Sequence, residues 1–557
     1  MDGVINEKNE EKLQSKLKIN DEDKSEEEND CPIEQVRLTV PITDDPNEAA
    51  LTFRTWVLGI ASCVILSFVN QFFGYRTNPI SITSVSAQIV TLPIGKFMAA
   101  TLPTKHISVP LTKWSFTLNP GPFTIKEHAL ITIIASAGYT GVYAIHIVTI
   151  VMAFYHRGIH PVVAIMLSMS TQMLGYRWAG IFRRILVDSP YMWWSVTLVQ
   201  LSLFKALHEK VKRPKGGLTR IQFFLACLTG LGIGSFALDW NTVAGFLESP
   251  LAYPSFAIIN TLVGYVVFVY ILVPVFYWGD IKDAKKFPLI SSRTFDSSGN
   301  TYNVTRILNS QNFDIDLESY NSYSKLYLSG IFALDYGLSF ATLTATISHV
   351  ALFYGSTIYQ MTRKATEALR GQVGDVHTRI MKKNYEQVPE WWFVSILLLM
   401  TAIALAVCEG FGKQLQLPWW GVFMSLGIAL VFTLPIGIIQ ATTNTQVGLN
   451  VITGLIIGFL YPGKPLANVT SKTYGYISMS QALSFLNDFK LGHYMKIPPK
   501  FMFIAQLVGT IVASSVYFGT ARWLLTTVEN ICDESMLPEG SPWTCPKDNV
   551  FYSASII

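Results

Sequence analysis

Residues 391–411 read WWFVSILLLMTAIALAVCEGF, a run in which Glu409 is the single charged residue. A helix rises 1.5 Å per residue, so about 20 apolar residues are needed to cross the ~30 Å hydrocarbon core of a bilayer. This run is long enough, and it is apolar on every side, unlike a helix that packs one face against a soluble core. It therefore predicts a membrane-spanning helix.

Runs of this kind recur along nearly the whole chain. Only 14% of the residues are charged and 50% are hydrophobic, whereas about 25% of residues are charged in soluble domains. We predict an all-α fold, a polytopic transmembrane helical bundle of about 11 to 13 membrane segments. The candidate spans are residues 53–73, 81–102, 128–154, 159–182, 188–207, 255–278, 328–355, 391–411, 417–440, 446–461 and 501–527, with weaker segments at 221–239 and 473–489.

Two of these segments are expected to be broken or re-entrant rather than simple crossings. Residues 81–102 carry Pro93 and Lys96 inside the run, and residues 221–239 are short and glycine-rich. Irregular backbone is tolerated at membrane depth only where it is buried in protein or lines a water-filled cavity. We therefore predict a re-entrant hairpin at residues 81–102 and a distorted segment at residues 221–239.

The first 50 residues differ from the rest of the chain. They hold 15 acidic and 6 basic side chains and no apolar run, which predicts a disordered acidic tail. Residues 51–557 form the predicted membrane domain, and their excess of basic residues is expected in cytoplasmic loops rather than in nucleic-acid binding. With no signal-peptide pattern at its start, the tail is expected to stay in the cytoplasm.

Loop composition predicts the orientation of the spans. The loops at residues 208–220 and 362–390 carry five and six lysines and arginines, so both are expected to be cytoplasmic. Counting spans from these loops predicts that three regions face outside. They are residues 279–327, the region near Gly463 and the loop after the last span. The outer regions contain two glycosylation sequons, at Asn303 and Asn468. Cys532 and Cys545 share the final Pro- and Gly-rich loop, where an oxidising environment would permit a disulfide.

Several longer strings are more specific than a hydrophobic run. Residues 70–79 read NQFFGYRTNP, residues 118–133 read LNPGPFTIKEHALITI, and residues 496–506 read KIPPKFMFIAQ. From residue 35 onward the chain resembles the oligopeptide transporter family, in its peptide-transporting, plant-type branch. It departs from the family pattern where an apolar stretch is missing between Phe223 and Leu231, and where it stops at Ile557. These departures suggest a shortened form.

The resemblance implies a secondary-active, proton-coupled carrier of small oligopeptides or glutathione-like peptides. The expected partners are a small peptide, protons and the lipid bilayer, in a multi-pass protein of the plasma membrane. It implies no cofactor and no enzymatic activity, and the sequence contains neither a P-loop nor a cysteine–histidine metal pattern. Two alternatives stay open: transport of metal–chelate complexes, and a truncated isoform that does not transport.

The family's NPG motif is a candidate substrate site. Asn119, Pro120 and Gly121 interrupt any helix, and the helix that follows would carry Glu127 and His128 in its first turns. The N–H groups at a helix start favour an anion such as a peptide carboxylate. In the alternative interpretation, the motif is an ordinary turn before a helix, and Glu127 is simply a residue of the first helical turn without a role in binding.

Two aspartates inside apolar segments are candidates for proton coupling. A charge at the bilayer centre costs roughly 3 kcal/mol, so Asp335 and Asp239 need a partner or a hydrated cavity. Either aspartate could instead be a paired structural charge. The KIPP motif, Lys496, Ile497, Pro498 and Pro499, predicts a rigid cytoplasmic turn before the last span and no contact with substrate.

Overall fold

The structure is a computed structural model that describes residues 30–108, 115–208, 253–309, 313–356, 359–360, 375–533 and 536–556. These residues are mostly helical. Strands within them form only two short antiparallel pairs, β1 with β2 and β3 with β4. The strands are β1 His106–Ser108, β2 Ser115–Thr117, β3 Thr294–Phe295 and β4 Tyr327–Leu328.

Helices in the first half of the chain are short or interrupted, apart from the first long one. They are α1 Glu34–Thr39, α2 Phe53–Gly74, α3 Ser84–Thr101, α4 Ile125–Tyr139, α5 Ile145–Phe154, α6 Pro161–Met173, α7 Gly175–Leu186 and α8 Ser195–His208. Local sequence explains where two of these helices, α2 and α4, begin. Thr52 and Thr124 each form a capping box with the residue three positions later, Thr55 and Glu127.

The second half of the chain contains most of the long helices. They are α9 Ser255–Trp278, α10 Leu317–Tyr323, α11 Gly330–Tyr354, α12 Val376–Asn384, α13 Glu390–Glu409, α14 Trp419–Thr443, α15 Asn450–Leu460, α16 Pro465–Tyr494, α17 Pro499–Thr527 and α18 Pro546–Ile556. Six of the described helices, α2, α9, α11, α13, α14 and α17, are long and apolar enough to cross a membrane. The predicted all-α membrane bundle is confirmed.

Helix α16 is the centre of the bundle. Most of its side chains are buried, and it packs against α7, α14, α15 and α17. Glycine allows the closest approach, because a Cβ on Gly175 of α7 would lie 2.4 Å from the backbone oxygen of Ser478. The crossing of α4 with α2 is equally tight, since a Cβ on Gly138 would lie 2.5 Å from the Cys63 oxygen. By contrast, α9 and α11 bury few side chains.

Residues 30–50 correct the expectation of a disordered tail that extends to residue 50. This segment lies against the membrane domain, and Cys31, Val36 and Val40 are buried. Asp44 accepts a hydrogen bond from the Lys126 ammonium at 2.9 Å, and the Lys205 ammonium donates to the Thr39 carbonyl. Apolar and charged contacts with the membrane domain therefore order a sequence that has no apolar run of its own. Residues 1–29 lie outside the described residues.

Residues 81–102 also differ from the prediction. They form one continuous helix, α3, with Pro93 inside it, rather than a re-entrant hairpin. The helix packs along α4, where Phe123 and Ile131 cover its apolar side. The weak segment at 473–489 belongs to the long helix α16, whereas residues 221–239 lie outside the described residues.

The final loop is tied together covalently. Cys532 and Cys545 form a disulfide, with their Cα atoms 5.0 Å apart. The Cys545 amide donates to the Tyr75 carbonyl, which fixes the loop to the end of α2. The loop therefore holds α18 next to the end of the first long helix.

Candidate functional site

Interrupted helices meet inside the bundle. Helix α4 ends at Tyr139 and α5 begins at Ile145, with Gly141 between them at φ +75°. Helix α14 ends at Thr443 and is followed by the left-handed residue Asn444, whereas α6 continues into α7 through Leu174, which keeps helical φ and ψ. In transporters, breaks of this kind form binding sites because they free backbone and side-chain polar groups at membrane depth.

A cavity of about 210 Å³ lies where these helices meet. Its walls come from α3, α4, α6, α8, α14, α16 and α17 and are rich in amides and hydroxyls. The lining residues are Ser84, Ser136, Ala137, Tyr139, Thr140, Val142, Gln172, Val196, Gln200, Gln440, Gln481, Ser484, Asn487, Asp488, Gln506, Thr510, Ala513 and Ser514. Among them, Asp488 is the one charged side chain.

The cavity lies deep inside the bundle rather than at its surface. Helices α4 and α17 begin, and α16 ends, on the face that carries residues 30–50, where Lys126 bonds Asp44. The lining residues of these three helices lie between 6 and 15 positions from those ends. At 1.5 Å per residue this is a depth of about 10 to 20 Å, close to the middle of a bilayer.

Several polar atoms of the lining residues have no hydrogen-bond partner in the structure. They are Gln172 Nε2, Gln200 Oε1, Gln440 Oε1, Gln506 Oε1 and Ser514 Oγ. A buried polar atom that stays unpaired costs about 1 to 3 kcal/mol, so such atoms are normally satisfied by water or by a ligand. Amide side chains provide both donors and acceptors, which suits a ligand that contains amides itself.

Asp488 is buried in the wall of this cavity. Its Oδ2 accepts a hydrogen bond from Ser136 Oγ at 3.2 Å, and the Gln506 side chain is also hydrogen-bonded to it. Within the described part of the chain it has no ion-pair partner, although only 7% of the residue is exposed. The cavity is therefore polar with one uncompensated acidic group.

The NPG motif lies at the start of α4, away from this cavity. The buried Arg54 guanidinium donates to Asn119 Oδ1 at 3.1 Å and to the Gly121 carbonyl at 2.8 Å. The same guanidinium pairs with Glu127 at 2.8 Å, and both side chains are fully buried. Glu127 thus occupies the place that a peptide carboxylate was expected to take, so that prediction is corrected in favour of the structural turn. Pro120 is exposed.

His128 also has structural partners. Its Nε2 lies 2.7 Å from the Gln88 carbonyl oxygen, and its Nδ1 lies 2.9 Å from His208 Nε2. Phe123 and Phe204 pack against its ring. None of the five NPG-motif candidates lines the cavity.

Of the two coupling candidates, the structure describes Asp335. This residue lies on α11, where its side chain is exposed on a helix with few buried residues, and it does not line the cavity. Asp239 lies outside the described residues.

The KIPP motif forms the turn between α16 and α17. Pro498 precedes α17 and Pro499 is its first residue, a position where a missing N–H costs nothing. Ile497 is buried, and Lys496 is buried as well, instead of being exposed at the inner surface. Its ammonium donates to His377 Nδ1 of α12 at 3.0 Å.

This contact affects the titration of both groups. Burial lowers the pKa of Lys496 to about 8. Burial, and then the Lys496 ammonium, hold the pKa of His377 well below its ordinary value of 6.5. The neutral imidazole is the form that accepts the hydrogen bond from Lys496.

The two glycosylation candidates have different surroundings. Asn303 is exposed in the long loop after α9. Asn468 lies inside α16, where its Nδ2 donates to the Gly454 carbonyl of α15, and Thr470 of the same sequon is buried. The prediction for Asn468 is therefore corrected, because an attached glycan would require the two helices to separate.

The residues of the cavity were not among the sequence candidates. Each of Gln172, Gln200, Gln440, Gln481 and Gln506 is a polar residue inside or beside an apolar segment. That position was a usable signal, because a polar side chain in a membrane helix faces protein or water. Among the described residues, no group of histidine, cysteine, aspartate and glutamate could hold a metal ion.

Comparison with known proteins gives a consistent result. The model of the OPT oligopeptide transporter protein family matches residues 50–227 and 218–557. Oligopeptide transporter 1 of Arabidopsis thaliana is 60% identical over 585 aligned residues, which cover 98% of this chain and 78% of that protein. Oligopeptide transporter 5 of the same plant is 59% identical with the same coverage, and oligopeptide transporter 7 is 50% identical over 94% of this chain and 73% of its own length.

Proposed function

Since this chain belongs to the oligopeptide transporter family, we propose that it carries small peptides across the plasma membrane by secondary, proton-coupled transport. The relatives are named for oligopeptides, and the six long apolar helices provide a multi-pass membrane domain. Peptides of the size of glutathione are included in the proposal.

The amide-lined cavity is the observation that carries this proposal. A peptide presents an N–H donor and a C=O acceptor at every residue, and the five glutamines of the cavity offer the complementary groups. The cavity lies beside broken helices at mid-depth, as in carriers that alternate access around a central site. Its unpaired amide atoms are the groups that a peptide backbone would satisfy.

Uptake of a labelled tetrapeptide into cells that produce the full chain tests the function. Gln440→Leu and Gln172→Leu should each lower uptake at equal surface amount, since they remove amide groups from the cavity. Gln35→Leu, which changes an exposed glutamine of α1, is the control and should leave uptake unchanged. Absence of peptide uptake by the parent, or full uptake by both cavity variants, would contradict the proposal.

The same cells distinguish the alternatives. Uptake of a metal–chelate complex without peptide uptake would assign the chain to chelate transport instead. A protein that reaches the surface and moves neither substrate would be a form that does not transport.

Proton coupling is proposed for Asp335 in α11, with Asp239 as the second candidate. Asparagine keeps the size and hydrogen-bonding groups of aspartate but cannot titrate. Asp335→Asn should therefore lower the stimulation of uptake by acidic outside pH while the protein stays in the membrane. A variant with the full pH dependence of its parent would exclude Asp335 as the coupling group.

A further inference from the structure

The charges in the cavity wall indicate which part of a peptide binds there. Among the described residues, its lining consists of amides, hydroxyls and apolar groups, and Asp488 is the one charged side chain. No lysine, arginine or histidine of the described part of the chain lines it. An anionic ligand would meet a like charge there, whereas a cationic group would find its counter-ion.

The other acceptors in the wall point to the same kind of ligand. Gln200 Oε1, Gln440 Oε1 and Gln506 Oε1 are unpaired and line the same cavity as the carboxylate. A primary ammonium has three N–H donors and no acceptor, so it can bond a carboxylate and two amide oxygens together. Helix dipoles do not decide the charge of the ligand, because α4 and α14 end at the cavity while α3 and α8 begin there.

The size of the cavity favours one end of a peptide over a whole peptide. Sites that enclose entire small-molecule ligands usually measure about 300 to 1,000 Å³, and this cavity is about 210 Å³. A compact space with one carboxylate suits a terminal group and the first peptide units. The middle of a long peptide carries no charge on its backbone and would leave Asp488 uncompensated.

We propose that Asp488 binds the protonated α-amino group of the transported peptide and so makes the carrier selective for peptides with a free amino terminus. Ser136 and Gln506 hold the carboxylate in place, and the unpaired glutamine oxygens complete the ammonium site. This inference rests on the proposed function, because it assigns the orientation of the peptide in the same cavity.

The experiment compares two tetrapeptides that differ only in N-acetylation. Acetylation removes the charge and two donors from the amino end while leaving the rest of the peptide unchanged. The ratio of kcat/KM for the free over the acetylated peptide is measured in the parent, in Asp488→Asn and in Glu386→Gln. Glu386 is a solvent-exposed carboxylate paired with Lys500 and serves as the matched control.

The parent and the control should prefer the free peptide by roughly tenfold to a hundredfold, the range expected for hydrogen bonds to a charged group. Asp488→Asn should bring the ratio close to one through loss of uptake of the free peptide alone. If the parent transports both peptides equally, this inference is overturned while the transport function stands. If the parent transports neither, both are overturned.

An equal loss of uptake of both peptides in Asp488→Asn would also overturn the inference, since the carboxylate would then serve coupling or folding. Should that variant fail to reach the membrane, Ser136→Ala provides the second measurement. It removes the hydroxyl that bonds Asp488 Oδ2 and should lower the preference severalfold, whereas an unchanged preference would contradict the proposal.

Discussion

Two buried carboxylates, Glu127 and Asp488, have opposite surroundings. Glu127 accepts hydrogen bonds from Arg54 and from the Thr124 amide, so its charge is compensated within the fold. Asp488 has neutral hydrogen-bond partners and lines a cavity. The first arrangement is typical of a structural ion pair, and the second leaves capacity for a ligand.

Glu127→Gln is expected to lower the free energy of unfolding by about 3 kcal/mol, because the Arg54 guanidinium would remain buried without a counter-ion. Uptake per folded molecule should stay near that of the parent. Thermal unfolding of the purified protein and uptake normalised to surface amount measure the two quantities.

The double variant Arg54→Gln with Glu127→Gln is the control for this prediction. Removing both charges should recover part of the lost stability, since no unpaired charge is left. If Glu127→Gln alone keeps the stability of the parent but loses peptide binding, the NPG motif belongs to the substrate site and this prediction is wrong.

His377, beside the KIPP turn, predicts that the folded protein loses stability in acid. Because its folded pKa is depressed, the unfolded chain binds a proton near pH 6.5 that the folded chain does not, so stability falls as pH decreases below 6.5. His377→Asn should flatten the fall in melting temperature between pH 7 and pH 5. The exposed His156→Asn variant should follow the parent, and an equal acid response in all three proteins would rule out this origin.

At the scale of secondary-structure elements, the breaks between helices decide where polar groups meet. The α4–α5 break and the α6–α7 junction, which stays helical at Leu174, lie beside α16 and α17, which run continuously past them. Continuous helices provide a rigid wall, while α4 and α14 end at the cavity. The tight crossing of α7 and α16 at Gly175 keeps the α6–α7 junction in position.

Gly175→Ala should therefore be destabilising by about 1 to 3 kcal/mol, because its Cβ would meet the backbone of Ser478 and Ala482 rather than a movable side chain. Gly427→Ala in α14 is the matched control, since a Cβ there meets nothing within 4 Å. Melting temperatures of the two variants in detergent measure the effect. Equal values would show that α7 can shift without cost.

At the scale of the whole molecule, ion pairs and loop contacts fall into two groups, one on each of two opposite faces of the bundle. Residues 30–50 and α12 contact each other through Asp30 and Arg379, and Lys500 pairs with Glu386 beside them. On the other face, Asp314 pairs with Lys464, and the disulfide loop joins the end of α2. The first group contains the regions predicted to be cytoplasmic, and the second contains those predicted to be outside.

An epitope inserted between Glu539 and Gly540 should be detected by antibody on intact cells, because this exposed turn lies in the predicted outer loop. An epitope placed before Met1 should be detected only after permeabilisation. Surface labelling of both proteins checks the orientation, and the reverse pattern would invert the assigned topology.

The sequence by itself determined the class of this protein, the position of most of its helices and the family. These properties depend on local composition, because a bilayer selects long apolar runs whatever their neighbours are. Its family motifs could also be found by inspection, but their roles could not. The NPG motif is held by hydrogen bonds from Arg54, which lies more than 60 positions earlier in the chain. No local sequence pattern predicts that contact.

Only the tertiary structure decided which polar residues form a site. Ser136, Gln172, Gln440, Asp488 and Gln506 come from five helices spread over most of the chain, and no local pattern links one of them to another. In the sequence, Asp335 interrupts an apolar run, whereas Asp488 lies in the more polar helix α16, so hydropathy favoured Asp335 as the buried charge. Packing exposes the first on a helix with few contacts and encloses the second in a cavity, and this three-dimensional difference is not encoded in hydropathy.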